Sequence, residues 1–383
     1  MTPWSTAAIG DVAEIVSGAT PKTGDAAYWD GGVPWATPRD LSCLEGPTIA
    51  LTERTLTSAG LASCAASLLP AGSVLLSSRA PIGHVAINTV PMATNQGFKS
   101  LVPHRGLLEA KYAYHWLRAN TAYLESLGNG ATFKELSKAA LSRVSIPLPP
   151  MEEQLRIAAI LDQADALRAK RREALAAVKA LTRSIFVSVF GHPLVNDRGW
   201  PERELQGLGR VVTGKTPPTA EQAMFGGPIP FVTPGDLGSG RPPKRTLTEA
   251  GATHSRVVRR GATLVCCIGA TIGKVGRAEC ASAFNQQINA VEWNEAVHDA
   301  YGYASLEFRR GVIAAAGTST TLPLLNKSGF QRLRIPVPPS ELQLEYARQV
   351  RLAERVATDH STQLDQFDVL FASLQDRAFK GDL

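Results

Sequence analysis

The sequence predicts an α+β protein. Two similar mixed α/β globules are joined by two long antiparallel coiled-coil helices, and the whole is an internal pseudo-two-fold repeat. Three observations carry this expectation. Ile146-Pro147-Leu148-Pro149-Pro150 recurs 189 residues on, from 146 to 335, as Ile335-Pro336-Val337-Pro338-Pro339. At the same shift Leu175, Val178, Thr182, Ile185 and Val189 fall on Leu364, Phe367, Phe371, Leu374 and Ala378, steps of three and four that make a coiled-coil seam. Turn motifs repeat as well: Gly18-Ala19-Thr20-Pro21 with Gly214-Lys215-Thr216-Pro217, Thr37-Pro38-Arg39-Asp40-Leu41 with Thr233-Pro234-Gly235-Asp236-Leu237, and Asn95-Gln96 with Asn285-Gln286. A period of half the chain is far longer than any solenoid unit.

The elements follow in order. Residues 1–149 form the first globule. Val74-Leu75-Leu76 and Val85-Ala86-Ile87 read as short strands bounded by Gly72 and by Pro81-Ile82-Gly83. Leu107 to Leu127 has helical spacing. The first proline run fixes φ and biases its predecessors towards extended backbone, so a helix begins after it and fills 150–190. Glu152 and Glu153 suit the N-terminus of that helix. The second globule, 191–338, repeats the scheme, with strands at Thr263-Leu264-Val265 and Lys274-Val275 and a helix after Ala296. The second long helix fills 339–383, opened by Ser340 and Glu341. Each helix covers about 40 residues and about 60 Å. The seam is interrupted by Arg168 to Arg172 in the first helix and crowded by Arg351, Glu354 and Arg355 in the second.

Composition bounds the function. The 383 residues suffice for two or three domains, and 44% apolar content is ordinary for a soluble protein. A net charge of +6 fits a polyanionic partner. The five cysteines make no C-x-x-C pair and do not cluster with the seven histidines, so no metal site and a reduced, cytoplasmic setting are expected. Met1-Thr2-Pro3-Trp4-Ser5 lacks the features of a signal peptide, and no apolar run is long enough for a membrane span. Catalytic motifs are missing. Gly269 to Val275 is one residue short of a phosphate loop and has Val275 where Mg²⁺ needs a hydroxyl, so it reads as strand-turn-strand. Leu148-Pro149-Pro150-Met151 lacks the amide and aromatic of adenine methyltransferases. Glu109-Ala110-Lys111 reads as a solvated helix face rather than part of a nuclease. A chain that imitates a two-fold dimer suits a ligand with two half-sites, of which duplex DNA is the obvious one.

The order of these motifs resembles the specificity subunit of Type I DNA restriction-modification systems. The resemblance spans the whole chain. It rests on Ser17-Gly18-Ala19-Thr20-Pro21, Val33-Pro34-Trp35, Ser78-Arg79-Ala80-Pro81-Ile82-Gly83, Asn95-Gln96-Gly97, the first proline run with Glu153-Gln154, and Ala378-Phe379-Lys380-Gly381-Asp382-Leu383. It implies that the globules are target recognition domains, each reading one half of a bipartite double-stranded DNA target. The helices would set the gap and dock two modification (methyltransferase) subunits that carry S-adenosylmethionine. Restriction/translocase subunits would join for cleavage. The chain itself would be non-catalytic and without a cofactor. Two further classes stay open: a divergent free-standing enzyme, and an adaptor whose duplicated heads bind proteins.

Candidate DNA contacts follow from comparing the two copies. Arg79, in a turn where Ser77 and Ser78 add donors, is expected to fork onto guanine or grip phosphate, or else to form a surface ion pair. Gly269 is taken as its counterpart. Gln96, Gln286 and Gln287 offer amides to adenine, whereas Asn95 and Asn285 are expected to close turns. Lys99 and Asn289 are matched positions. Lys22, Arg39, Lys134, Lys215, Lys244, Arg245, Thr271, Lys274 and Lys327 sit in turn-rich stretches and are candidate backbone contacts. Trp35 and Phe231 are expected in the core. The Arg168 to Arg172 run reads as a solvated or partner-facing surface. Ile157 and Ile160 are expected either to meet the modification subunit or to pack on the local globule.

Overall fold

The computed structural model describes residues 4–44, 46–130, 134–239, 241–317 and 323–383. The chain forms two compact units: Met1–Glu173 with Ser361–Leu383, and Ala174–His360. Each long helix is thus divided between the units, and each unit holds one globule, the start of one long helix and the end of the other.

In each globule the chain's entry and exit are stitched into a two-stranded antiparallel ribbon. Thr6–Ala8 pairs with Ser145–Pro147, and Glu202–Glu204 with Arg334–Pro336. The proline run therefore begins inside a ribbon, where its first proline ends a strand and its missing N–H costs least. Beyond the ribbon the first globule carries a five-stranded sheet in the order Ala13–Ser17, Lys99–Pro103, Val74–Ser78, Ile82–Asn88, Thr48–Ile49, antiparallel except for the last pair. A three-stranded sheet of Arg54–Leu56, Trp29–Ala36 and Ala93–Thr94 accompanies it. The second globule repeats both as four-stranded sheets, led by Gly209–Thr213 and by Arg245–Leu247.

The expected strands lie inside observed ones, except that Lys274 falls just before Val275–Arg277. The helix expected from Leu107 to Leu127 is two helices, Ala110–Ala119 and Thr121–Ser126. They break at Asn120, whose side-chain amide bonds the Trp116 carbonyl at 2.9 Å, the competition that makes asparagine a poor mid-helix residue. The second globule breaks at the matching Arg309.

The long helices are Met151–Phe190 and Ser340–Lys380, of 40 and 41 residues. Both stop at a glycine of positive φ, Gly191 and Gly381. Within the first unit, Arg156 reaches Leu383 and Arg168 reaches Asp368, so residue numbers rise along one helix as they fall along the other. The pairing is antiparallel, as expected. The arginine run is corrected. Arg168 is mostly buried, stacked over Phe371 at 4.3 Å and bonded to Asp165 and Asp368 at 2.7 and 2.6 Å. Arg172 also reaches Asp368 at 3.4 Å. A long arginine can lay its aliphatic stem on the seam and still satisfy its charge across it, so the run clasps the helices together.

The joint between globule, proline run and helix is the same in both copies. Gln154 is buried. Its Nε2 donates to the carbonyls of Leu107 and Pro149 at 2.9 and 3.0 Å, and its Oε1 accepts from the Glu109 N–H at 2.9 Å. Gln343 does the same for Ala296, Pro338 and His298. Buried Tyr112 and Tyr301 donate their hydroxyls to the carbonyls of Pro147 and Pro336 at 2.9 and 2.6 Å. The far end of the other long helix closes each core: Phe379 packs edge-on to Tyr112 at 5.5 Å, and Phe190 to Tyr301 at 4.8 Å. Ion pairs from each globule grip its own helix at matched positions, Arg118 on Asp165 and Arg277 on Glu354.

Two predictions follow from the joint. Phe379→Ala should cost the first unit about 3–5 kcal/mol, and Gln154→Ala at least about 2 kcal/mol because three buried backbone groups lose their partner; chemical denaturation of each variant against the parent measures both. Acid should also loosen the first unit. Burial outweighs the Asp162 hydrogen bond and holds His115 below its usual 6.5. Burial raises Asp165, but Arg118 and Arg168 outweigh it and hold the carboxyl below its usual 3.8. Both folded-state values are depressed, so the unfolded chain takes up protons first and stability falls as pH drops below 6.5. His115→Gln, which keeps a donor towards Asp162 but does not titrate, should flatten the loss between pH 7.5 and 5; an unchanged profile would refute the assignment to His115.

Candidate nucleic-acid interface

One surface of each globule is built from the repeated turns. Gly18 passes so close to the Asn95 turn that a Cβ on it would lie 2.0 Å from the Asn95 carbonyl oxygen, and Gly214 stands likewise against Asn285 at 2.1 Å. Only glycine permits this approach, which lets the hydroxyl of Thr20 reach the Gln96 side-chain oxygen and that of Thr216 reach Gln286 at 2.5 Å. With that oxygen engaged, the amide nitrogen is the donor that each exposed glutamine has left to offer. Asn95 and Asn285 close the turns by accepting from the N–H of Gly97 and Gln287 at 2.9 and 3.2 Å, as expected. Beside them Asp40 and Asp236 accept from the Thr37 and Thr233 N–H groups, both at 2.8 Å. Trp35 and Phe231 are buried beneath.

The charges on this common frame differ. Arg39 is exposed and 3.7 Å from Glu53; its counterpart is Gly235. Glu53 is matched by exposed Lys244, Ala19 by exposed Lys215 and His84 by half-buried Lys274. Lys22, Lys134 and Lys327 are exposed. Arg245 is exposed and lies over Phe225 and Phe231 at 4.8 and 5.4 Å. Its matched residue, Arg54, stacks on Trp29 at 3.4 Å. The sequence reading missed Arg54, although the recurrence of Arg54-Thr55-Leu56 as Arg245-Thr246-Leu247 signals it.

Several expectations are corrected. Ser77 and Ser78 are fully buried, and the Ser77 hydroxyl is spent on the Pro81 carbonyl and the His84 N–H, both at 2.8 Å. They end a central strand of alternating faces that are both covered, so neither reaches solvent. Lys99 is buried and paired with Glu135 at 3.4 Å. Arg79 is half-buried, with Glu135 3.9 Å away, and its backbone bridges that residue. The matching bridge in the second globule joins Ile268 to Leu324, so Ile268, not Gly269, is the counterpart of Arg79; one extra residue follows the strand. Thr271 is half-buried against the Cys266 thiol at 3.4 Å, and Gln287 is held by the Asn285 amide at 3.0 Å. Ile157 is fully buried in the first core and unavailable to a partner, while Ile160 is partly exposed. Glu109 caps its helix by accepting from the Tyr112 N–H at 2.7 Å, and Lys111 pairs with Asp162.

Gly269 to Val275 forms the turn between Thr263–Cys266 and Val275–Arg277, as expected. Among the described residues no cluster of histidine, cysteine or carboxylates could hold a metal ion. None of their helices is long and apolar enough to cross a membrane. The arrangement offers exposed amides, guanidinium groups and ammonium groups on a rigid frame, which is the chemistry of hydrogen-bond and phosphate recognition.

The model of the Type I restriction modification DNA specificity domain matches residues 1–177 and 197–355. The specificity subunit of the Type I restriction enzyme MjaIX from Methanocaldococcus jannaschii is 33% identical over 246 residues, 60% of this chain and 57% of that protein. The EcoR124I/EcoR124II specificity subunit of Escherichia coli is 29% identical over 43% of this chain and 41% of its own length. The matches thus span about half of the length of these relatives, 57% of one and 41% of the other. The crystal structure of the Type I restriction-modification S subunit from M. genitalium superposes with a TM-score of 0.62 at 15% identity, covering 99% of this chain and 96% of that one. A chain from a structure of Type I R-M complex assembly and conformational transition gives 0.56 at 19% identity, covering both chains fully. Two matched segments, the doubled frame and the shared fold agree: the chain belongs to the Type I restriction-modification DNA specificity domain family.

Proposed function

We propose that this chain is the sequence-specific DNA-recognition subunit of a Type I restriction-modification complex. Each globule reads one half of a bipartite target, and the long helices set the gap. The observation that carries the reading is the pair of surfaces described above: one backbone frame, held by the same turns in both copies, with different charges mounted on it. A duplicated frame suits the DNA backbone, which is alike in both half-sites, and differing side chains suit bases that are not. The domain boundaries follow: recognition domains at 1–149 and 191–338, spacer helices at 150–190 and 339–383. Half-sites one DNA turn apart, about 10 base pairs, would face the same side of the duplex.

The chain serves as a non-catalytic, cofactor-free subunit working in the cytoplasm, where its DNA is. Two modification subunits bring the methyl transfer, and restriction/translocase subunits join for cleavage. Ile157 is buried, so docking falls to its exposed neighbours. Leu155 and Leu344 occupy matched positions one turn into each long helix and are 53% and 46% exposed. Exposed leucines beside a rigid joint supply the apolar anchor that subunit interfaces need.

Co-expression with the genomic-neighbour modification subunit in a methylation-free host should yield one bipartite methyladenine motif with a fixed gap, absent without this chain. No methylation from a stable complex would favour the adaptor reading, and methylation by this chain alone would overturn the non-catalytic one. Lys327→Ala, and Lys138→Ala at its matched and likewise exposed position, should each weaken DNA binding without changing the motif and reduce the salt slope of log K by about one. Leu155→Glu with Leu344→Glu should abolish copurification of the modification subunit while leaving the thermal midpoint unchanged.

A further inference from the structure

We propose that Arg79 reads a guanine in the half-site of the first globule, and that Glu135 and Lys99 are positioning residues that aim its guanidinium. The proposal rests on the DNA-recognition reading above and names the residue that makes this half-site differ from the other.

Three side chains meet at the edge of the repeated turn. The backbones of Arg79 and Glu135 bridge each other. Arg79 Nη1 stands 3.9 Å from one Glu135 oxygen, and Lys99 Nζ stands 3.4 Å from the other. The Lys99 side chain is only 10% exposed, against 36% for Arg79 and 43% for Glu135. A cation so covered cannot rely on water, so it claims the carboxylate first. Glu135 is thereby fixed in place, and it touches Arg79 only loosely. The guanidinium is oriented, yet most of its five donors stay free. Its stem runs along the turn that displays Gln96: a Cβ built on Gly97 would lie 3.7 Å from Arg79 Cγ. The arginine and the exposed Gln96 therefore stand on the same turn.

The second globule shows what the cluster is for. At the same backbone bridge stand Ile268 and Leu324, and Asn289 replaces Lys99. All three charges disappear together, while the frame beneath them is kept. A group that grips phosphate would be useful to both globules, since the backbone of both half-sites is alike. A group present in one and replaced by an apolar pair in the other serves a feature of one half-site only, which is a base. The fork of arginine matches guanine O6 and N7 in the major groove.

The test is methylation mapping of the assembled complex with three variants. Arg79→Ile/Lys99→Asn/Glu135→Leu transplants the second globule's set and strands no buried charge. It should relax one G·C position in one half-site by about ten- to a hundredfold, with the other half-site and the gap unchanged. Arg79→Lys keeps the charge, needs no repacking and should relax the same position, because an ammonium lacks the fork. Glu135→Gln should relax it less. Unchanged discrimination in Arg79→Lys, with or without a uniform fall in binding, would overturn the guanine assignment, as would a folded triple variant that keeps the parental motif. Failure of the parent itself to methylate would instead count against the DNA-recognition reading.

Discussion

The rest of each unit depends on one buried amide. Gln154 in one and Gln343 in the other sit in the first turn of a long helix and bond three backbone groups, two from the loop that opens the globule's helix and one from the proline run. No apolar residue could stand there without leaving those groups unpaired out of water. The tyrosine hydroxyls on Pro147 and Pro336 fix the same segment from the other side. A proline run has few N–H groups to fix it, chiefly that of Leu148 on the Ser5 carbonyl and that of Val337 on the Pro201 carbonyl, both at 2.8 Å, so its carbonyls must be held by others. That is why a glutamine and a tyrosine recur with it at the same shift. The joint converts a stiff peptide into a fixed angle between globule and helix.

Such a joint would be wasted on a loosely closed core. The far helix ends close it with aromatic rings, Phe379 against Tyr112 and Phe190 against Tyr301. The two cores then diverge around the common contact. In the second, Phe190, Tyr301, Phe308 and Tyr346 gather round Phe186, and burial drives the phenols of Tyr301 and Tyr303 up to about 12. In the first, His115, Asp162, Asp165, Arg118 and Arg168 form a linked ionic layer beside Phe371. One core is thus closed by a cluster of rings, the other by rings together with a charged layer that includes the buried His115.

The sequence made the frame legible and the surface only partly so. Repeats of glycine, proline and Thr-x-x-Asp were visible because backbone close approaches and caps admit few residue types; Gly18, Gly214, Asp40 and Asp236 are cases in point. Long helices were visible because a three-and-four seam has no other reading. The surface failed where burial decided. Ser77 and Ser78 look like donors, but they lie in a strand covered on both faces, where the Ser77 hydroxyl pairs with Pro81 and His84 and the Ser78 hydroxyl is shut away from solvent. Ile157 looks like a partner contact until the globule is seen resting on it. The shift of 190 between Gly83 and Gly273 puts Arg79 on Gly269, whereas backbone bridging pairs it with Ile268, at the shift of 189 that the proline runs share, because one residue is inserted between the strand and the turn. The arginine run at 168–172 looked solvated because pattern alone cannot show a carboxylate arriving from a helix 200 residues away, as Asp368 does for Arg168.

These corrections share a direction. Charges that the sequence shows singly are found in pairs, and the pairing separates the structural ones from the rest. Arg168 and Lys99 are covered and spoken for; a covered cation with a fixed carboxylate partner would lose its compensation by leaving for DNA. Arg39 and Glu53 are so exposed that their contact holds neither, and such pairs contribute little to stability. Arg79 lies between these limits, anchored enough to be aimed and free enough to bind. That intermediate state is what recognition by a preorganised group requires, since a fully free arginine would lose rotamer entropy on binding and a fully paired one would have to break its bond first. Exposure and pairing together, rather than charge alone, therefore mark which cations on this frame are available to read a ligand.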